Sequence, residues 1–412
     1  MTASPRLFSI KTTYRLCLET GSEAPRADYI LMNFLRVHYW SAAQRVKLLS
    51  LARLNRLRRS LRNSTSWQDR LCRTQKSLLD KHVQSPYVQR LVPASDDGAI
   101  LLNTVVVNNG GNDQGEPLVL THGYGSGLGF WATVLDALAT ATSRPIIAVD
   151  WNGMGASSRT PFTKYRHGGA DANEAAANAE SYFIEPFERW RQEMGIEKMA
   201  LCGHSLGGFL SAAYATKHPD RVSNLIMVSP AGLLSQPDGS RLPADTLTFQ
   251  QKLLALGWAN NITPQSIVRA VGPWGHRLTD RMVRARFHAM KEDDLEVLSA
   301  YLYGITSAPP GGEFSLNAIL VPVMTGPERG VYARNPIGER LIRHLPDSIP
   351  LTIMFGDVDW MYNWKIQGIP LVQTGRTRLV RIPNSGHHIH LDNSPEFVSQ
   401  VRWALSDGHQ WR

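Results

Sequence analysis

The residue with the clearest potential for chemistry is Ser205, in the hexapeptide Gly-His-Ser-Leu-Gly-Gly at positions 203–208. A short apolar run precedes this hexapeptide, and a helix-forming run follows it. A G-x-S-x-G pattern between a strand and a helix is typical of a nucleophile elbow, where a strained turn pushes the serine hydroxyl outward. Gly203 and Gly207 fit such a turn because side chains there would collide with neighbouring segments. The pattern therefore predicts a nucleophilic Ser205, with the Leu206 N–H directed at a developing oxyanion.

A reactive serine requires a base and an acid that orients the base. His387 follows an apolar run at 379–382 and is the expected base. Two carboxylates, Asp357 and Asp359, follow another apolar, strand-like run. Asp359 is favoured as the acid because it stands three positions after Gly356, the usual offset at such sites. Asp357 would then be a turn or helix-cap residue.

A second oxyanion donor is expected upstream, where an apolar run at 118–121 ends. The Tyr124 N–H is the expected donor, with Gly123 as a supporting residue. His122 and His204 flank the reactive centre, and we expect them to orient loops through hydrogen bonds.

The remaining histidines do not indicate a metal centre. His388 is interpreted as a hydrogen-bonded polar residue and His390 as a surface residue. The sequence contains neither an H-E-x-x-H motif nor another recognisable ligand spacing. It therefore predicts no bound metal ion and no other cofactor.

Positive charge is concentrated near the N-terminus of the 412-residue chain. Residues 1–80 hold 15 Lys and Arg against 5 Asp and Glu, a net charge of +10, whereas the remainder holds 29 against 30. This asymmetry indicates an anionic partner for one segment rather than for the whole surface. The three cysteines do not suggest a disulfide framework, so a reducing compartment is expected. No apolar run reaches the ~18 residues of a transmembrane helix.

Two features stand out within the basic N-terminal segment. Residues 1–30 combine basic and hydroxyl side chains with no acid before Glu19, which is compatible with an organelle transit peptide. Residues 42–62 show an apolar helical face opposite a basic one, typical of a helix on an anionic membrane. The alternative is a helix docked on the protein with a solvated basic face. Nucleic-acid binding is disfavoured because no binding motif accompanies the charge.

Downstream, apolar strand-like runs alternate with helical runs, which predicts a mostly parallel, doubly wound α/β sheet. The segments 81–231 and 348–412 would form this core, after an N-terminal extension at 1–80. Residues 232–347 break the alternation with bulky apolar, helical segments. We expect them to form a helical lid over the site, which favours a long apolar substrate.

Several segments carry motifs that are specific in combination: 122–131, 153–159, 203–209, 272–275, and Gly386-His387 with Asp392 in an H-x4-D pattern. Together they resemble a phospholipase branch of the α/β-hydrolase family. That branch contains cardiolipin-specific deacylases, N-acyl-phosphatidylethanolamine lysophospholipases, plant lysophosphatidate acyltransferases and a lipase coactivator of lipid droplets. The resemblance extends from about residue 70 to the C-terminus and implies the α/β-hydrolase fold.

The resemblance implies a serine hydrolase that cleaves acyl esters of phospholipids. The coactivator has asparagine where this chain has Ser205, which favours an active enzyme. The H-x4-D pattern is associated in the family with acyl transfer to lysophosphatidate, but Asp392 precedes a helix start and is interpreted as structural. We expect a peripheral-membrane cardiolipin deacylase of mitochondria. The alternatives are a lysophosphatidate acyltransferase, a general (lyso)phospholipase, or a non-catalytic coactivator, at the endoplasmic reticulum or the lipid-droplet surface.

Overall fold

The computed structural model describes residues 66–107, 115–162, 172–236, 248–323, 330–373, 375 and 377–406. The transit peptide expected at 1–30 and the basic helix expected at 42–62 lie outside the described residues. Among the helices within these ranges, none combines the length and the apolar composition needed to cross a bilayer.

Eight strands form one central sheet, and two more form a separate ribbon. The strands are β1 (Tyr87–Pro93), β2 (Leu101–Val107), β3 (Leu118–Thr121), β4 (Ile146–Val149), β5 (Met199–His204), β6 (Val222–Val228), β7 (Leu320–Val323), β8 (Gly330–Ala333), β9 (Leu351–Gly356) and β10 (Thr377–Ile382). The spatial order of the sheet is β1-β2-β4-β3-β5-β6-β9-β10, and β7 pairs with β8. The pairs β1–β2 and β2–β4 are antiparallel, and all other pairs in the large sheet are parallel.

Helices connect these strands and pack on the sheet. They are α1 (Trp67–His82), α2 (Leu135–Thr142), α3 (Ala172–Glu193), α4 (Leu206–Lys217), α5 (Phe249–Ala259), α6 (Pro264–Ala270), α7 (Gly275–Arg286), α8 (Glu292–Ser307), α9 (Leu316–Ile319), α10 (Ile337–His344), α11 (Pro370–Gln373), α12 (Ile389–Asp392) and α13 (Ser394–Ser406). A 3₁₀ helix, Leu128–Val134, follows the loop after β3.

The central strands β3, β4, β5 and β9 are buried along their whole length. Strands covered on both faces read as continuous apolar runs, which is why the sequence pattern identifies them. Parallel pairing sets the ends of β3 and β5 side by side, with Thr121 opposite Gly203. The loops after the parallel strands therefore meet at one edge, where open α/β sheets bind ligands. The mostly parallel, doubly wound arrangement predicted from the sequence is confirmed.

Helix α1 lies almost entirely within the segment 1–80 that the sequence interpretation assigns to an extension. Its Leu71, Leu78 and Leu79 are buried. The helix packs against α8 and against the 3₁₀ helix that follows β3. The folded body therefore includes α1, so its boundary lies before this helix rather than after residue 80.

Residues 232–347, named the insert below, combine two kinds of structure. Helices α5 to α8 are the helical segments that the sequence predicts there. The second part contains the ribbon β7–β8 and α10, whose Ile337 and Leu341 are fully buried in the main core. Because α10 packs directly on α4, this second part is a layer of the α/β body and not a roof.

Candidate active site

Ser205 occupies the turn between β5 and α4. Its φ of 55° lies in the left-handed region, so the strained serine backbone predicted from the sequence is confirmed. A Cβ at Gly203 would collide with the backbone of Gly207, and a Cβ at Gly207 would come 2.5 Å from the carbonyl oxygen of His122. Both positions therefore require glycine, because three backbone segments pass one another there.

The structure brings Ser205, His387 and Asp359 together. His387 Nε2 lies 3.0 Å from Ser205 Oγ, and His387 Nδ1 lies 3.2 Å from Asp359 Oδ1. A carboxylate can only accept, so Nδ1 carries the proton and Nε2 is left to accept one from the serine. Asp359 is fully buried and His387 is nearly so. This arrangement can generate a serine nucleophile by general-base catalysis.

The surroundings of Asp359 keep its carboxyl group ionised. Burial alone would raise its pKa, but attraction to His387 and hydrogen bonds from that ring and from the Met361 N–H hold the pKa below its ordinary value. Asp357 lies elsewhere and accepts two backbone N–H hydrogen bonds, each 3.0 Å long, in the turn before His387. The structure therefore brings Asp359 to the histidine and uses Asp357 to hold the histidine loop.

The two expected oxyanion donors belong to backbone that adjoins the serine. Leu206 begins helix α4, where the first N–H groups have no intrahelical acceptor. Gly123 lies against Ser205, since a Cβ on this glycine would be 2.9 Å from the serine Cβ. The loop that carries Tyr124 therefore lies in close contact with the nucleophile.

Asp150, directly after β4, holds the oxyanion loop, a role that the sequence analysis missed. Its fully buried carboxylate accepts hydrogen bonds from the Leu128 N–H and the Asn103 side-chain amide, both at 2.6 Å, and from the Ala156 N–H at 2.8 Å. His122 Nε2 lies 3.4 Å away. The signal in the sequence was an acid at the end of a wholly apolar strand, because a carboxylate is costly to bury without partners.

The loop-orienting hydrogen bonds expected of His122 and His204 are present. His122 Nδ1 donates to the Gly123 carbonyl at 2.8 Å, and its Nε2 accepts from the Trp151 N–H at 3.2 Å. His204 Nε2 donates to the His387 carbonyl oxygen at 2.7 Å. Burial lowers the pKa of both His122 and His204, so each ring is neutral.

The interpretation of His390 as a surface residue is wrong. Its side chain is buried, and its ring centroid lies 4.3 Å from that of Trp131. Neither ring nitrogen has a hydrogen-bond partner among the described residues. Burial lowers the pKa of His390 to about 3. His388 accepts a hydrogen bond from the Arg286 guanidinium at 3.2 Å, as expected of a satisfied polar residue.

Asp392, the last residue of the H-x4-D pattern, is not the carboxylate that bonds the His387 ring; that carboxylate is Asp359. Its carboxylate accepts from the Gly386 N–H at 2.9 Å, and Arg286 of the insert lies 3.4 Å from the same oxygen. These contacts agree with the structural interpretation of Asp392. The residue fixes the loop that carries the histidine and connects this loop to helix α7.

The insert also contacts the oxyanion loop. The Tyr124 hydroxyl lies 3.2 Å from Gln265 Oε1 in α6 and 3.1 Å from the Glu313 carbonyl oxygen. The buried Glu313 carboxylate pairs with Arg269 and accepts from the Thr263 hydroxyl at 3.0 Å. Tyr124 is therefore held by the insert through its side chain.

The fold is similar to that of known proteins. A family model described as the alpha/beta hydrolase fold matches residues 116–394. The 1-acylglycerol-3-phosphate O-acyltransferase of Arabidopsis thaliana is 31% identical over 83% of this chain and 82% of that protein. The (lyso)-N-acylphosphatidylethanolamine lipase of Homo sapiens is 32% identical over 77% of this chain and 86% of that protein. The solved structure of carboxylesterase CesB from Bacillus subtilis, at 16% identity, covers 83% of this chain and 99% of its own, with a TM-score of 0.54.

The chain therefore belongs to the α/β-hydrolase family. Within it, the relatives bear the names of a lysophosphatidate acyltransferase and an N-acylphosphatidylethanolamine lipase. The resemblance to the branch that contains such proteins is confirmed.

The geometry predicts different effects for the two neighbouring carboxylates. Asp359→Asn should lower kcat for a soluble ester by roughly 10⁴-fold, because the amide cannot hold the His387 tautomer that accepts the serine proton. Asp357→Asn, the matched control, should cost far less, since it alters only a loop contact. Steady-state kinetics of the two purified variants measure both effects, and the reverse ranking would identify Asp357 as the acid.

Stability should depend on pH through His390. An unfolded histidine takes up a proton below about pH 6.5, whereas the buried ring does not until about pH 3. The free energy of unfolding should therefore fall as the pH drops from 7 to 5, by about 2 kcal/mol from this residue. His390→Phe should keep the contact with Trp131 and remove this part of the loss. Urea denaturation of both proteins at pH 7 and pH 5 measures it, and equal losses would contradict the assignment.

Proposed function

We propose that this chain is a serine hydrolase that cleaves acyl esters of phospholipids. The observation that carries the proposal is the hydrogen-bonded series Ser205, His387 and Asp359 at a nucleophile elbow. A phospholipid substrate is supported by the relatives, whose names refer to 1-acylglycerol-3-phosphate and to N-acylphosphatidylethanolamine.

The reaction follows from the geometry. Ser205 Oγ attacks the ester carbonyl carbon as its proton passes to His387 Nε2, and Asp359 stabilises the imidazolium that forms. The Tyr124 and Leu206 N–H groups donate to the oxyanion. His387 then protonates the leaving lysolipid oxygen as the ester C–O bond breaks. Water, activated by the same histidine, attacks the acyl-enzyme and releases the fatty acid.

A second candidate function is acyl transfer to lysophosphatidate, in which a lipid hydroxyl replaces water. The name of the Arabidopsis relative and the H-x4-D pattern favour it. Against it, Asp392 contacts the Gly386 N–H and Arg286 rather than the reacting histidine. Formation of phosphatidate from supplied acyl-CoA and lysophosphatidate would distinguish this activity. A non-catalytic coactivator, the remaining alternative, needs no activated serine and would not react with a fluorophosphonate probe.

Ser205→Ala and His387→Ala should each abolish phospholipid hydrolysis while leaving the fold intact. Loss of one member of such a triad costs several powers of ten, with residual catalysis from the oxyanion donors. Fatty-acid release from phospholipid vesicles measures the effect, and Ser205→Ala should also lose fluorophosphonate labelling. Ser307→Ala, at an exposed position of α8, is the control and should behave like the wild type. Hydrolysis within tenfold of wild type in either triad variant would refute the assignment.

Among phospholipids, we favour cardiolipin and a mitochondrial location. The support is the net charge of +10 in residues 1–80 and the transit-like composition of residues 1–30. Cardiolipin is the most anionic abundant phospholipid of mitochondria, so a basic segment would hold the enzyme at its substrate. The endoplasmic reticulum and the lipid-droplet surface are the alternative locations.

Removing charge from the segment 42–62 should weaken binding to cardiolipin vesicles. The variant replaces four arginines by glutamine, at Arg56, Arg58, Arg59 and Arg62. Each basic residue near an anionic surface contributes about 1 kcal/mol, so partitioning should fall by orders of magnitude, and added salt should have the same effect. Vesicle co-sedimentation measures binding, with hydrolysis of a soluble ester as the unchanged control. Binding that is unchanged by both treatments would show that residues 42–62 do not hold the protein on the membrane.

A further inference from the structure

Large apolar side chains are exposed on the insert in a group that the active site does not use. In the described part of the chain, nine large hydrophobic residues are strongly exposed, and six of them lie between positions 249 and 274. These six, named the apolar crest, are Phe249, Leu253, Leu256, Ile262, Val271 and Trp274. The exposed fraction reaches 80% at Phe249 and 61% at Trp274. Single exposed apolar residues are ordinary, but such a concentration indicates an interaction surface.

Half of the crest lies along one helix. Phe249, Leu253 and Leu256 follow the spacing i, i+4, i+7 and therefore share a face of α5. Ile262 adjoins the same helix, since a Cβ on Gly257 would lie 3.9 Å from the Ile262 Cβ. Four of the six crest residues therefore lie on or beside α5, and Val271 and Trp274 follow at the end of α6.

The other side of these helices is anchored to the protein. Trp258 of α5 packs against the main core. In α6, Val268 and Gln265 are buried. On the surface helices of a globular protein, apolar residues usually face the core and polar residues face the solvent. Here apolar residues also face the solvent.

Basic side chains lie among the crest residues. Residues 249–286 contain six Lys and Arg, of which Arg269, Arg284 and Arg286 form ion pairs with carboxylates. The Arg277 guanidinium lies 4.6 Å from the centroid of the Trp274 ring, and Lys252 is exposed within α5. Apolar and aromatic side chains interspersed with Lys and Arg are typical of helices that lie in the interface of an anionic bilayer. Such a bilayer supplies both the apolar depth and the opposite charge.

The crest belongs to the part of the insert that is bonded to the active site. Helix α6 carries Gln265, whose side chain contacts the Tyr124 hydroxyl of the oxyanion loop at 3.2 Å. Helix α7 carries Arg286, which lies 3.4 Å from Asp392 in the His387 loop. A surface docked on the crest would therefore lie over a segment that contacts both sides of the site.

We propose that the apolar crest is a membrane-docking surface that inserts into the headgroup region of an anionic phospholipid bilayer. This contact is additional to the one proposed for residues 42–62. The inference rests on the proposed function in one respect: the docked lipid is the substrate only if the protein hydrolyses phospholipids. Binding to a bilayer needs no catalysis, so the two ideas can fail separately.

The test measures co-sedimentation of the full-length protein with vesicles of phosphatidylcholine containing phosphatidylglycerol. To prevent hydrolysis, all proteins carry Ser205→Ala. The crest variant combines Phe249→Gln, Leu253→Gln and Leu256→Gln, and it should partition roughly tenfold or more weakly, because three inserting side chains are lost. Phe249→Gln alone, at the most exposed position, should bind several-fold more weakly and puts the fold at little risk.

The matched control makes the same chemical change away from the crest. Val88→Gln with Leu91→Gln alters two exposed apolar residues of β1 and should bind like the parent protein. Replacing Lys252 and Arg277 by Gln should weaken binding by about fivefold for each charge, and the effect should vanish on pure phosphatidylcholine. With Ser205 restored, the crest variant should hydrolyse a soluble short-chain ester like the wild type.

Three results would overturn the proposal. One is vesicle binding by the crest variant that equals that of the parent protein. Another is an equal loss of binding in the β1 control. The third is a parent protein that binds neither type of vesicle, which would point to a protein ligand for the crest. If the crest variant loses binding but the wild type hydrolyses no phospholipid, the docking surface stands and the proposed function fails.

Discussion

The buried carboxylate of Asp150 is the contact on which the rest of the site depends. It joins strand β2 through Asn103, the 3₁₀ helix after the oxyanion loop through Leu128, and the loop after β4 through Ala156. Burying a carboxylate is costly unless hydrogen-bond donors surround it. Folding therefore selects the arrangement in which these donors converge, and in that arrangement the oxyanion loop lies against Ser205.

Each residue with an expected chemical role is held by a neighbour outside the reaction. The His387 backbone is bonded to His204, and the loop before it is held by Asp392. Tyr124 is bonded through its hydroxyl to Gln265 of the insert. Catalysis is sensitive to displacements of about 1 Å, so such supports act through the positions of the reacting groups. The first part of the insert therefore helps to position the oxyanion loop.

Much of the site could be predicted because its constraints are local in the chain. The elbow leaves a glycine pattern around Ser205, and buried parallel strands leave apolar runs that identify the loop of His387. Other contacts have no local signature. Gln265 meets the oxyanion loop across more than a hundred residues, and the donors to Asp150 come from three separate segments. No sequence pattern predicts the buried position of His390, because a buried imidazole without hydrogen-bond partners is an exception among polar residues.

Helix α1 sets a limit on processing of the N-terminus. Its basic outer residues made it look like part of a charged extension, yet its leucines pack against α8 and the 3₁₀ helix that follows the oxyanion loop. A protease that removes a targeting sequence must therefore cut before Ser66, because a later cut would expose the apolar surface beneath α1 and release the support of that loop. The same limit applies to an affinity tag or a shortened expression product, because the folded protein has to begin ahead of this helix.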